Sequence, residues 1–259
     1  MILEQLTLFI ASLIANTLSA LAGGGAGLLQ LPLLLFLGLG FSSALVTHKI
    51  ASVALGVGAT IRHFQQHSLN RHFALFILTC GLPGVVTGAL IILKIDDQFS
   101  KLLLGLLTMG LGIYSILQKN LGQNAEFRHR TPFGYLVGGL VLFSIGILNG
   151  SLTSGTGLFV TIWLVRWFGL DYKSAVAYTL VLVGLFWNGS GALTLAAQAS
   201  IQWSYLPALI LGSLFGGYAG AHLSIIKGNI WVKRSFESLT LLVGLKLIYD
   251  AGIRPILAT

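Results

Sequence analysis

The stretch Ala22-Gly-Gly-Gly-Ala-Gly-Leu-Leu-Gln-Leu-Pro32 carries the groups needed to hold an anion without any catalytic side chain. Gly23, Gly24, Gly25 and Gly27 interrupt an apolar run, and a helix resuming after them would point its unpaired first-turn N–H groups, and the positive end of its dipole, into the gap. That is anion-binding geometry. Gln30 follows about one turn into the resumed helix. The device returns in Asn149-Gly-Ser-Leu-Thr-Ser-Gly-Thr-Gly157, where Gly155-Thr-Gly157-Leu-Phe aligns with Gly25-Ala-Gly27-Leu-Leu. Hydroxyl and amide donors flank both breaks: Asn16 and Thr17 at the first, Asn149, Ser151, Thr153, Ser154 and Thr156 at the second. The plainer alternative is that these glycines only let helices pack closely, as small residues do in membranes.

His48 and Lys49 open an otherwise apolar span, where the aligned residues of the second half, Thr179 and Leu180, are uncharged. A cation there could neutralise an oxyanion, and His48 could carry a proton near neutral pH. Otherwise Lys49 would snorkel to the lipid headgroups. Asn188, in Trp187-Asn-Gly-Ser190, could line a pathway or bond helix to helix. Lys246 reads as snorkelling, Arg166, His222 and Glu237 as boundary residues, and Pro83 as a kink in a span.

The elements that must position these groups are membrane spans. The 259 residues are 55% hydrophobic and 8% charged, against about 25% charged in soluble domains. Mean hydropathy is +0.89. The formal charge of +8 comes from cations clustered between apolar segments, which fits anionic lipid and a positive-inside bias rather than nucleic acid. The single cysteine, Cys80, lies in an apolar run and reads as packing. Residues 1 to 5 lack a basic leader pattern, so the first apolar segment is expected to be a mature span. No dinucleotide fingerprint, P-loop lysine, carboxylate pair or metal-ligand spacing occurs, so neither catalysis nor a cofactor is expected.

Apolar segments fall at roughly 6 to 22, 27 to 41, 44 to 61, 73 to 93 and 102 to 118, and again at 134 to 149, 157 to 169, 174 to 195, 204 to 226 and 236 to 252. The second of each set is too short for a crossing, which takes about 20 residues. Gly38-Leu39 before Ser43-Ala44 matches Gly169-Leu170 before Ser174-Ala175; Gly84, Gly88 and Gly112 match Gly216, Gly220 and Gly244. These matches predict an internal duplication, residues 1–122 and 123–259, joined by the polar linker Gln118 to Thr131. Loop charge predicts opposite orientations: Arg62 to His72 is basic where Thr194 to Trp203 is uncharged, and Lys94 to Lys101 is neutral where Lys227 to Arg234 holds three cations. The expected fold is an all-α polytopic membrane protein of two inverted-topology repeats. Each repeat has a glycine-broken helical hairpin and three transmembrane helices, as in many secondary transporters.

The glycine break with Leu-Leu-Gln-Leu-Pro, Ala44-Leu-Val-Thr-His-Lys49 and the Ser-Gly-Thr-Gly of the second break resembles the sulfite exporter TauE/SafE family of permeases. The likeness runs over nearly the whole length and is most specific from Gly23 to Lys49. The resemblance implies a transporter that moves a small sulfur-containing anion, such as sulfite or an organosulfonate, across the inner membrane. With export as the expected direction, the predicted site comprises Gly24, Gly25, Gly27, Gln30, His48, Lys49, Asn149, Thr153, Ser154, Gly155, Thr156 and Asn188. An importer or channel for another small anion such as thiosulfate, or a membrane scaffold that transports nothing, are the alternatives. Partners are then the anion and the lipid bilayer; nothing in the sequence fixes an oligomeric state.

Overall fold

The computed structural model describes residues 2–64, 69–91, 97–152 and 155–249. In lipid every backbone polar group must be satisfied within the protein, and the chain does so with helices. In order these are α1 (Ile2–Ala22), α2 (Gly27–Phe36), α3 (Phe41–Phe64), α4 (Arg71–Ile91), α5 (Asp97–Leu117), α6 (Pro132–Ser151), α7 (Thr156–Arg166), α8 (Tyr172–Ala196), α9 (Leu206–Lys227) and α10 (Asn229–Ile248). Six of them, α1, α3, α4, α6, α8 and α9, are long and apolar enough to cross a membrane. The protein is a multi-pass, all-α membrane protein. The short helices α2 and α7, of 10 and 11 residues, are the two expected after the glycine breaks.

Both short helices end on glycine. Gly38 (φ 86°) closes α2 with Gly38 N donating to Leu35 O and Leu39 N to Leu34 O, a left-handed cap that uses up carbonyls the helix cannot satisfy itself. Gly169 (φ 71°) plays the same part after α7, where Leu170 N reaches Leu164 O. The linker between α5 and α6 is strapped to this second turn: Glu126 N donates to Gly169 O and Arg128 N to Phe168 O.

The extensive packing joins the first five helices to the last five. Helix α1 lies along α9, α4 along α6, α3 along both α9 and α8, and α5 along α10. Glycine sets these contacts. Gly216 and Gly220 on α9 sit against the carbonyls of Leu13 and Thr17 on α1, and Gly84 and Gly88 on α4 sit against those of Phe143 and Ile147 on α6. The registers give direction. Along α1 and α9 the contacts climb together, from Gln5 with Ser204 to Ser12 with Ser213, so these helices run parallel; α4 and α6 do likewise. Helices α3 and α8 oppose each other, Lys49 meeting Gly191 while Gly56 meets Gly184.

Three expectations about charged residues change. Helix α10 begins at Asn229, not near 236, because Lys233 is neutralised inside the helix: its Nζ pairs with Glu237 Oε1 at 2.8 Å and donates to Ser115 O. Glu237 is therefore no boundary residue; it also accepts from Ser115 Oγ, tying α10 to α5. Arg62, expected in a loop, occupies the last turn of α3 and donates from Nε to His222 Nδ1 on α9. Pro83 lies inside α4, a membrane-spanning helix, as expected. Cys80 does pack, with its Sγ beside Gly139.

A side chain at the helix contacts would force backbones apart. Gly88→Val and Gly220→Val should each lower the thermal unfolding midpoint of the detergent-purified protein by an amount equivalent to about 1–3 kcal/mol. Gly110→Val, at a position with nothing within 4 Å, should leave it nearly unchanged.

Candidate functional site

The two chain breaks meet. Gly23, Gly24 and Gly25 follow one another with φ of 87°, 140° and 102°, a left-handed run that side chains resist. Gly24 N turns back to Ser19 O at 2.8 Å. This lays Gly24 against Gly157 so closely that a methyl group on Gly24 would stand 2.6 Å from Gly157 Cα. The second break turns at Gly155 (φ 77°), the residue before α7. The first turns of α2 and α7 thus converge beside a small cavity, with about 40 Å³ open to the centre of a water-sized sphere, room for a few waters or one small ion.

Residues from both halves form its wall. Ser19, Gly24, Gly25, Ala26, Gly27, His48, Ser52 and Leu55 come from the first half; Asn149, Thr156, Gly157, Thr179, Leu180, Val183, Gly184 and Asn188 from the second. Under the sequence alignment many of these are equivalent positions: Ala26 with Thr156, Gly27 with Gly157, His48 with Thr179, and Ser52 with Val183. The wall from Thr179 to Trp187 is a π-helical segment inside α8, a winding that recurs at functional sites.

Behind the wall lie two polar systems. Lys49 is fully buried, with 0% of its surface exposed, and does not snorkel. Its Nζ donates to Asn149 O at 2.9 Å and to Asn149 Oδ1 at 3.3 Å. Asn149 Nδ2 in turn donates to Thr156 Oγ1 at 2.8 Å. The ammonium is thus one side chain removed from the cavity. On the other side His48 Nδ1 meets Gln30 Oε1 at 2.8 Å, Gln30 Nε2 donates to Ser12 Oγ at 3.0 Å, and Ser52 Oγ lies 3.2 Å from His48 Nε2. Among the described residues no cluster of His, Cys, Asp or Glu could hold a metal ion.

Seven of the expected residues line the cavity: Gly24, Gly25, Gly27, His48, Asn149, Thr156 and Asn188. Gln30 and Lys49 stand one hydrogen bond behind it, and Gly155 sets the turn before α7. Thr153 and Ser154 lie outside the described residues. Asn16 and Thr17 do not face the break: Asn16 Nδ2 bonds Ser12 and Ser213, and Thr17 Oγ1 bonds Leu13 O. Sequence reasoning missed Ser19, Ser52 and the π segment. Ser19 aligns with Asn149, so extending the repeat alignment one helix upstream would have found it; the π winding leaves no such trace.

A polar cavity between broken helices, lined from both halves of a multi-pass membrane protein, is an arrangement that many secondary transporters share. The sulfite exporter TauE/SafE family model matches residues 8–247, and the chain belongs to that family. It is similar to a probable membrane transporter protein of Haemophilus influenzae, 27% identical over 246 residues that cover 95% of this chain and 94% of the relative. It is also similar to the probable membrane transporter protein YfcA of Escherichia coli K12, 25% identical over 96% of this chain and 91% of the relative. The probable membrane transporter protein YunE of Bacillus subtilis is 22% identical over 94% and 97%. No solved structure matches the chain. The protein is a membrane transporter for a small molecule, not an enzyme.

The meeting of the breaks can be tested through its tightest point. Gly24→Ala should be destabilised by about 1–3 kcal/mol in thermal unfolding, from strain and collision with Gly157 together. Gly40→Ala, where a Cβ meets nothing within 4 Å, should unfold like the parent.

Proposed function

We propose that this protein exports a small sulfur-containing oxyanion, sulfite or an organosulfonate, across the inner membrane, by alternating access around the cavity between α2 and α7. The observation that carries the reading is the convergence of two helix starts, one from each half, on a polar cavity with a buried lysine behind it. The anion would take backbone N–H groups of both first turns, the Thr156 hydroxyl and the Asn188 amide, while Lys49 supplies charge through Asn149. A buried ammonium with only carbonyl partners is costly. A bound anion compensates it, so cavity and lysine explain each other.

Residues 1–122 and 123–259 are in this reading inverted repeats. Supporting it, α1 and α3 run with α9, α3 runs against α8, and α6 runs with α4. The halves are interleaved, so the moving bodies are not the halves themselves. One body is α1, α3 and α9; the other is α4, α6 and α8, and each contains helices of both repeats. They touch across the cavity where Gly56 meets Gly184 and where Lys49 reaches Asn149. Where the membrane is negative inside, each net negative charge carried outward gains about 2.3 kcal/mol per 100 mV.

Sulfite counterflow into proteoliposomes tests the reading. Lys49→Met should reduce it about 10- to 100-fold, the equivalent of one lost charge-assisted interaction. Its unliganded thermal midpoint should hold or rise, because a buried charge has been replaced by an apolar chain of like length. Sulfite at about 100 times its Kd should stabilise the parent by about 2.7 kcal/mol and the variant hardly at all. Equal counterflow in both proteins would sink the anion site; flux without acceleration by unlabelled anion on the far side would make the protein a channel.

A further inference from the structure

His48 sits in the cavity wall with 1% of its surface exposed, between two partners that fix its ring. On one side Gln30 Nε2 donates to Ser12 Oγ, while Ser12 Oγ has Leu209 O as its own acceptor at 2.9 Å and also receives Asn16 Nδ2. Ser12 thus has no proton to offer Gln30, which turns its amide nitrogen to Ser12 and its Oε1 to His48. Nδ1 of the imidazole must then carry a hydrogen. The other nitrogen, Nε2, is left with a lone pair beside the hydroxyl of Ser52, a residue that also lines the cavity, with Ser52 Oγ at 3.2 Å. The cavity wall therefore carries an imidazole lone pair, and an oxyanion without a proton repels it.

Adding one proton removes the conflict. The proton joins the Nε2 lone pair, the new N–H donates into the cavity, and the Ser52 hydroxyl is released from His48 to donate as well. No other bond changes, and the proton comes from the aqueous phase that delivers the anion. We infer that His48 binds one proton with each oxyanion, so that the site is loaded by anion and proton together. The inference rests on the anion-site reading above and adds to it a coupled proton and its holder.

Apart from Lys49, the adjacent buried amine, the surroundings of His48 leave this step to it. Helix α1 presents Ser12 and Asn16, α2 Gln30, α8 Thr179 and α9 Ser213, none of which titrates in the physiological range. Lys49, next in sequence, turns its ammonium onto Asn149. Tyr178 turns its hydroxyl to Asn70 N, and Arg62 bonds His222 toward the far end of α3. Of the acids, Glu4 lies in the first turn of α1 and Asp171 caps the start of α8 through Ser174. Among the described residues, no carboxylate competes for the proton.

Calorimetric titration of the purified full-length protein with sulfite at about pH 8, in two non-sulfonate buffers of different ionisation heat, counts protons directly. About one proton should be taken up per sulfite bound, and the affinity should fall about tenfold for each pH unit above the titration of His48. His48→Gln should abolish the uptake. Gln30→Glu, which places a carboxylate on Nδ1–H, should move the pH profile upward by about a unit or more, a change that a purely structural Gln30 would not cause. Sulfite binding without proton uptake, uptake unchanged in His48→Gln, or a profile unmoved in Gln30→Glu overturns the role of His48 while leaving the anion site intact. No binding heat and no thermal stabilisation by sulfite, thiosulfate, sulfate or methanesulfonate overturns the anion reading, and this inference with it.

Discussion

Backbone that leaves a helix within a membrane must be covered by protein or reach a watery cavity, and this chain leaves its helices twice at similar points of its two halves. The solution is mutual. Gly24 lies on Gly157, so each break is covered by the other, and the space they do not fill is the cavity. Neither half could satisfy its break alone. The interleaved helices follow from that dependence: α1 must lie against α9 and α6 against α4 for the ends of α1 and α6 to bring their breaks together. Glycines at 84, 88, 216 and 220 make those approaches close enough.

The two halves bring different chemistry to the cavity wall. Positions paired by the sequence alignment hold His48 and Thr179, Ser52 and Val183, Ala26 and Thr156, Ser19 and Asn149. The first half contributes the imidazole and, just behind, the ammonium; the second half contributes the amides of Asn149 and Asn188 and the hydroxyl of Thr156. The hydrogen bonds from Lys49 to Asn149 and on to Thr156 join the two kinds of group across the halves. An amide whose oxygen accepts from an ammonium is polarised, and its N–H groups become better donors. Charge can therefore act on the cavity without entering it.

Much of this was legible from sequence because breaks in membrane helices need glycine, and glycine is visible. The two short helices, the turns at Gly38 and Gly169, the linker between α5 and α6 and the polar Asn188 all follow from residue type and spacing. What escaped were features that depend on a partner helix. Gln30 and Asn16 read as donors at the first break, but the sequence does not reveal that Gln30 links His48 to Ser12, nor that Ser12 and Asn16 are tied to Ser213 on α9, some two hundred positions away. Lys233 and Arg234 read as loop charges because the sequence does not reveal Ser115 O waiting beside Glu237. The π winding of Thr179–Trp187 lies in an apolar segment whose residues carry no sequence mark of it.

Interleaving also constrains how such a fold can move. If the halves rocked as units, the contacts of α1 with α9 and of α4 with α6 would have to slide, and these are the places where glycine brings backbone onto backbone. Such surfaces are closely packed and shift between discrete arrangements rather than deforming smoothly. The contact of α3 with α8 borders the cavity: the two helices run against each other, with Gly56 on Gly184 and the Lys49 side chain along Gly191, and the Lys49 ammonium reaches past α8 to Asn149 O on α6. Helix α3 therefore joins α8 and α6 beside the cavity, and any motion that opened this side would have to part these contacts.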